Sequence, residues 1–159
     1  MQLWRLSGAA FADRFDGGYG LQHAGRWNEP GRPVTYCATG PALCVLEKLV
    51  HVEDAGLLPD DTMLIRYHAP DDLRVEESRL AELPDAWRAD QRLTRRVGSA
   101  WLDRASSCLL RVPSVIVPVP ESDDRNIVVN HRHQDAARIT IARIERFAYD
   151  PRLLSRVAW

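Results

Sequence analysis

Six short runs rich in β-branched and aromatic residues are spread along the chain, and helices do not separate them one by one. The runs are Leu3 to Leu6, Val34 to Ala38, Met63 to His68, Val115 to Val119, Ile127 to Asn130 and Ile139 to Phe147. Each has the length and composition of a strand. Only two segments read as helices. One runs from Pro41 to about Asp54, with Thr39 as N-cap and Pro41 in the first turn. The other runs from Asp85 to Ala105, preceded by Pro84. Parallel βαβ units need a helix after nearly every strand, so this order predicts an α+β fold with mainly antiparallel sheets.

The chain has 159 residues, of which 45% are hydrophobic and 27% charged. That is the size and balance of one globular domain, and it excludes disordered, collagen-like and disulfide-scaffold classes. With no internal repeat or Gly/Ser linker, residues 1–159 read as a single domain. No apolar run reaches the ~20 residues of a membrane span. The opening MQLWRLSGAAF has one arginine and no sustained apolar stretch before Asp13, so no secretory signal is expected and the cytoplasm is the expected location.

A net charge of −1 gives no global field for nucleic acid or membrane. Locally, Glu53, Asp54, Asp60, Asp61, Asp71, Asp72, Glu76 and Glu77 face only Arg66 and Arg74. That stretch reads as a solvated face or as a dock for a basic partner. The cysteines Cys37, Cys44 and Cys108 lie in apolar settings without metal-type spacing, so buried free thiols are expected and a metal is not.

Between the first two strands lies a glycine-rich segment, Phe11 to Gly31, that contains Arg26-Trp27-Asn28. Long loops in compact domains are usually functional. Glycine loop, strand and helix in that order suggest a dinucleotide fold, but no GxGxxG lies between Ala38 and Ala42.

Five further readings concern chemistry. Leu43, Leu46, Glu47 and Val50 share one helical stripe, so Glu47 falls on the face the helix should bury. A buried carboxylate needs a partner or a cleft; on pattern alone it either serves a site or snorkels out to pair with His51. Tyr36 shares a strand face with Val34 and Ala38 and is core or ligand-facing. Arg26 beside Gly25 suits an anion, or is simply exposed. Ser114 closes a turn or serves a ligand, and the segment NIVVNHRH (126–133) carries two asparagines and two histidines able to hydrogen-bond one. No GxSxG elbow supports a serine hydrolase.

The stretch GRWNEPGRPVTYCATGPALCVLEKLVH resembles the signature of the RES-domain family, toxin components of bacterial toxin–antitoxin systems. The arginine, glutamate and serine that name the family match Arg26, Glu47 and Ser114. Further matches are WRL at the start, LPDAW (83–87), GSAWL (98–102) and NIVVNHRH. The family has a proline after the asparagine of the last block. This chain reads Asn130-His131-Arg132-His133-Gln134, which makes His133 the matching histidine.

The resemblance implies an ADP-ribosyltransferase-like core of two packed, mostly antiparallel sheets with surrounding helices and a cleft for NAD⁺. It implies catalysis by Glu47, Arg26 and Tyr36, and binding of NAD⁺, as substrate, by Arg26, Tyr36, Ser114, Asn130 and His133. ADP-ribose would pass to a bacterial protein, or to water or phosphate with depletion of NAD⁺. A helix-turn-helix antitoxin would be the partner that blocks the site. A non-enzymatic interaction domain, with Arg26 and Glu47 as a structural ion pair, is the rival from another class.

Overall fold

A computed structural model describes residues 1–52, 59–120 and 122–153. Among these residues seven strands are present: β1 (Gln2–Gly8), β2 (Val34–Ala38), β3 (Thr62–His68), β4 (Val75–Glu77), β5 (Leu109–Val112), β6 (Asn126–Asn130) and β7 (Thr140–Arg146). The helices are α1 (Gly18–Gln22), α2 (Pro41–Leu49) and α3 (Gln91–Arg104), with several short 3₁₀ turns.

The sheet order is β4-β5-β6-β2-β1-β3-β7. All pairings are antiparallel except β4 with β5. The expected α+β, mainly antiparallel architecture is what the chain adopts. Its two sheets are two halves of one hydrogen-bonded array, because β1 and β2 share only the pair Trp4↔Ala38. By contrast, β1 and β3 run in register from Gln2↔His68 to Gly8↔Thr62.

Strand alternation divides the core. Leu3, Ile65 and Tyr67 from one half meet Cys37, Leu109, Ile127 and Val129 from the other. The opposite faces of β2, β5 and β6 send Val34, Leu110, Val112 and Val128 against Trp27 and against Trp101 and Leu102 of α3. A third cluster, Ala38, Leu43 and Cys44 with Trp4 and Leu6, seats α2 over the β1–β2 junction.

Several boundaries differ from the sequence expectation. Val115 to Val119 is not a strand. Pro113, Pro118 and Pro120 deprive it of ladder donors, and the Ile116 and Val117 N–H groups turn back onto the Ser114 hydroxyl. The strand lies earlier, at β5, and the three-residue β4 beside it was not expected.

The segment from Asp85 begins as a 3₁₀ turn, Asp85–Arg88. The α-helix starts only after Asp90, whose carboxylate accepts the Arg92 N–H at 2.9 Å. Thr39 does not cap α2, since Gly40 holds that position. The Thr39 hydroxyl instead donates to the Asp123 carbonyl and accepts the Arg125 N–H, each at 2.9 Å. Helix α2 ends at Leu49, short of the expected Asp54; residues 53 and 54 lie outside the described residues. Among these, no helix is long and apolar enough to cross a membrane.

Candidate active site

Pairing register places three polar side chains on one face. Tyr36 shares its face of β2 with Ala38, which pairs with Asn126 of β6. Asn126 in turn pairs with Val112 of β5, two residues before Ser114. Helix α2 follows β2 after a two-residue turn and brings Glu47 to this end of the sheet.

Glu47 Oε1 accepts two hydrogen bonds, from Ser114 Oγ at 2.8 Å and from Asn126 Nδ2 at 2.5 Å. Ser114 is fully buried, and its Oγ also accepts the N–H groups of Ile116 (3.0 Å) and Val117 (3.1 Å). A hydroxyl has one hydrogen and two lone pairs, so Ser114 is saturated and its proton is committed to Glu47. The partners of Glu47 are therefore these two groups rather than His51.

The expected apolar stripe needs correction as well. Leu43 is buried, but Leu46 is 40% and Val50 57% exposed. Leu43 and Cys44 form the buried face, and Glu47 continues it by one turn, half-buried. Among the described residues the nine-residue helix packs on Trp4, Leu6, Ala38 and Val117, a narrow footing that buries Leu43 and Cys44 rather than a wide stripe.

The Arg26 loop is fastened to the same strand. The Tyr36 hydroxyl accepts the Trp27 N–H at 2.9 Å and donates to Asn28 Oδ1 at 2.7 Å. Asn28, wholly buried, also accepts the Gly25 N–H and donates to the His23 and Glu29 carbonyls. A Cβ at Gly25 would stand 2.6 Å from the Tyr36 hydroxyl, so only glycine fits there. From α3, Arg95 Nε donates to the Gly25 carbonyl at 2.8 Å.

Arg26 donates to the Trp87 and Arg88 carbonyls at 3.3 and 3.2 Å. Burial lowers its pKa, the charge of Glu47 opposes that and Arg95 adds to it; Arg26 remains a cation within electrostatic reach of Glu47. Burial raises the Tyr36 phenol, which stays neutral.

Where β1 and β2 diverge, a cleft of about 130 Å³ opens. Its walls are Trp4, Arg5 and Leu6 of β1, Tyr36 to Ala38 of β2, Cys44 and Glu47 of α2, and Asn126. Small-molecule pockets usually span roughly 300–1,000 Å³, so this cleft is small by that measure. Burial pushes the Cys37 and Cys44 thiols up to about 12, which removes both as nucleophiles at neutral pH. Among the described residues, no cluster of His, Cys, Asp or Glu could hold a metal ion.

Of the sequence candidates, Tyr36 and Glu47 line this cleft and Ser114 reaches it through Glu47; Arg26 is not among its walls, and Asn130 and His133 are not brought to it. Asn130 lies at the other end of β6, opposite Val34, fully buried. Its Nδ2 donates to the Leu102 carbonyl and its Oδ1 accepts the Arg132 N–H, each at 3.0 Å. His133 Nδ1 accepts the Asp135 N–H at 3.1 Å and caps the 3₁₀ turn Gln134–Arg138. Both stabilise the turn after β6. The asparagine that reaches Glu47 is Asn126, at the start of the same block. An antiparallel pairing of 126–130 with 34–38 would have found it, because it sets Asn126 beside the end of β2 that leads into α2.

A family model described as the RES domain matches residues 2–150. A curated protein of Pseudomonas putida named Toxin Res is 42% identical over 96% of this chain and 99% of its own length. A protein of a Sphingobium species named Prs ADP-ribosylating toxin is 34% identical over 97% of both chains. The crystal structure of the M. tuberculosis MbcT–MbcA toxin–antitoxin complex contains a chain that superposes with a TM-score of 0.72. It is 19% identical, and the match covers 92% of this chain and 83% of that one, a likeness of fold.

Proposed function

The chain belongs to the RES-domain family, and from that premise we propose that it is a cytoplasmic toxin that cleaves the nicotinamide–ribose bond of NAD⁺ and transfers ADP-ribose to a bacterial protein. The observation that carries the reading is the Glu47 carboxylate, held by two donors on one oxygen at the edge of a cleft walled by Tyr36. The name of the Sphingobium relative favours transfer to an acceptor over simple loss of NAD⁺.

NAD⁺ supplies a C–N glycosidic bond whose rupture develops positive charge on the ribose, as in glycoside cleavage. Glu47 stabilises that charge as a fixed anion and accepts from the ribose hydroxyls. The Tyr36 ring offers a face for the cationic nicotinamide, a contact worth about 0.5–2 kcal/mol. Arg26, within electrostatic reach of Glu47 though not a wall of the cleft, supplies the cation for phosphate. The bond electrons leave with nicotinamide, and the lone pair of the acceptor forms the new bond at the ribose carbon. In this reading Ser114 acts through Glu47, because its hydroxyl has no capacity left for a ligand. Asn130 and His133 shape the turn behind the site. A helix-turn-helix antitoxin that covers the cleft completes the proposal; the M. tuberculosis neighbour was solved with an antitoxin bound.

The test uses partner-free protein, a bacterial extract and NAD⁺ labelled in the adenylate phosphate. Nicotinamide release with one labelled protein band is expected. Release without a band would make the chain an NAD⁺ hydrolase or phosphorylase. Glu47→Gln is expected to lower nicotinamide release by about two decades or more while leaving the melting temperature near wild type. Lower stability with unchanged toxicity would instead identify an interaction domain.

A further inference from the structure

We propose that Asn126 is a positioning residue, which fixes the Glu47 carboxylate so that Oε2 alone is presented to the substrate. The inference rests on the NAD⁺-cleaving reading of the site. It starts from an asymmetry: both donors given to Glu47 fall on Oε1.

The last torsion of a glutamate is broad and roughly two-fold, so an unrestrained carboxylate turns and exchanges its oxygens. One hydrogen bond leaves that rotation nearly free. Two donors on one oxygen, arriving from different elements, fix both the oxygen and the plane. Here they come from β6 and from the segment after β5, neighbouring strands joined by the pair Val112↔Asn126. The acceptor stands on a separate helix, so the strands form a rigid frame against which the carboxylate is set. Both contacts are hydrogen bonds to an ionised acceptor, the stronger class.

Asn126 is suited to the task because its nitrogen can only donate. Ser114 cannot replace it, since its one proton is already given. The ribose charge develops at a defined point, and a carboxylate displaced by about 1 Å there can cost 10²-fold in rate. Losing Asn126 should therefore reduce turnover more than it reduces binding.

The experiment compares wild type with Asn126→Ala and Asn126→Asp, measuring kcat and KM for nicotinamide release alongside melting temperature. For Asn126→Ala, kcat is expected to fall by about 10–100-fold with KM for NAD⁺ within about twofold. Asn126→Asp keeps the shape but sets a carboxylate against a carboxylate, and is expected to lose more. An unchanged kcat, or a raised KM with kcat intact, would overturn the proposal.

A second measurement needs neither turnover nor a folded Asn126 variant. In the wild-type protein the Asn126 side-chain amide proton is expected downfield in NMR spectra, because it is given to a carboxylate, and Glu47→Ala should move it upfield. A resonance that does not move overturns the clamp itself. A moving resonance in a wild-type protein that releases no nicotinamide would keep the clamp and reject the enzymatic reading together with the catalytic role given to Asn126.

Discussion

His131 is a titratable side chain that the site does not use, and its environment makes a prediction. Its Nε2 lies 2.8 Å from the Thr35 hydroxyl, and its ring meets Phe15 edge-on at 4.7 Å. Burial pushes its pKa down from 6.5 to about 4, Asp16 opposes the shift and Arg5 reinforces it. Between those values the unfolded chain holds a proton that the folded chain refuses. Stability is therefore complete above about pH 6.5 and is lost as pH falls toward 4. At 1.36 kcal/mol per unit the loss is on the order of 3 kcal/mol. Melting curves across this range should show the decline in wild type and a flatter profile in His131→Gln; equal slopes would contradict it. Tyr36 teaches a second lesson at this scale. Its hydroxyl is satisfied within the protein, as a core tyrosine's would be, and its partners are the Trp27 N–H and the Asn28 side chain of the Arg26 loop. Core packing and service to the site are the same contact.

Helix α3 shows how an element far along the chain governs the loop. A Cβ added at Gly98 would lie 2.0 Å from the Trp27 carbonyl oxygen, a backbone atom that cannot rotate away. The Ser99 hydroxyl beside it accepts the Glu29 N–H at 3.0 Å, and Arg95 one turn earlier holds Gly25. Gly98→Ala should therefore push α3 off the loop, at a cost at or above the usual 1–3 kcal/mol of overpacking. Thermal melting measures that cost, and nicotinamide release should fall with it because Arg26 moves. A neutral Gly98→Ala would mean that the contact is not tight. Elements of this kind mark how far the sequence could be read. The run Val34 to Ala38 and the helix opened by Pro41 were legible because their signals are local. Val115 to Val119 was misread because β-branched composition outweighed three prolines that remove donors. The residues of 126–133 offer two asparagines and the family resemblance points to Asn130; that Asn126 is the one to reach Glu47 depends on which end of β6 meets α2, a pairing across about ninety residues of chain that no local pattern encodes.

For the whole molecule, charge and topology point to the same place. The acidic stretch, read from sequence as a solvated face or a dock, is partly engaged within the chain, and its Glu53 and Asp54 lie outside the described residues. Asp71 pairs with the N-terminal amine, Asp72 with Arg138 at 2.6 Å, and Glu76 with Arg104 at 3.6 Å. The distinctive feature is the fork. Two halves with complete internal ladders are joined by one residue pair, and the cleft lies where they part. Backbone groups of β1 and β2 that face the fork have no ladder partner, so local opening there needs less free energy than opening of either half. Ligand that bridges the fork must stabilise both walls together. Hydrogen exchange should therefore find fast amides at the fork and slow ones along β1–β3 and β2–β6. NAD⁺ added to the Glu47→Gln protein, whose turnover is expected to be about two decades lower, should slow the fork amides and leave those of the edge strand β7 unchanged. Protection that rises evenly over the sheet would indicate general tightening, and no change at the fork would place the ligand elsewhere.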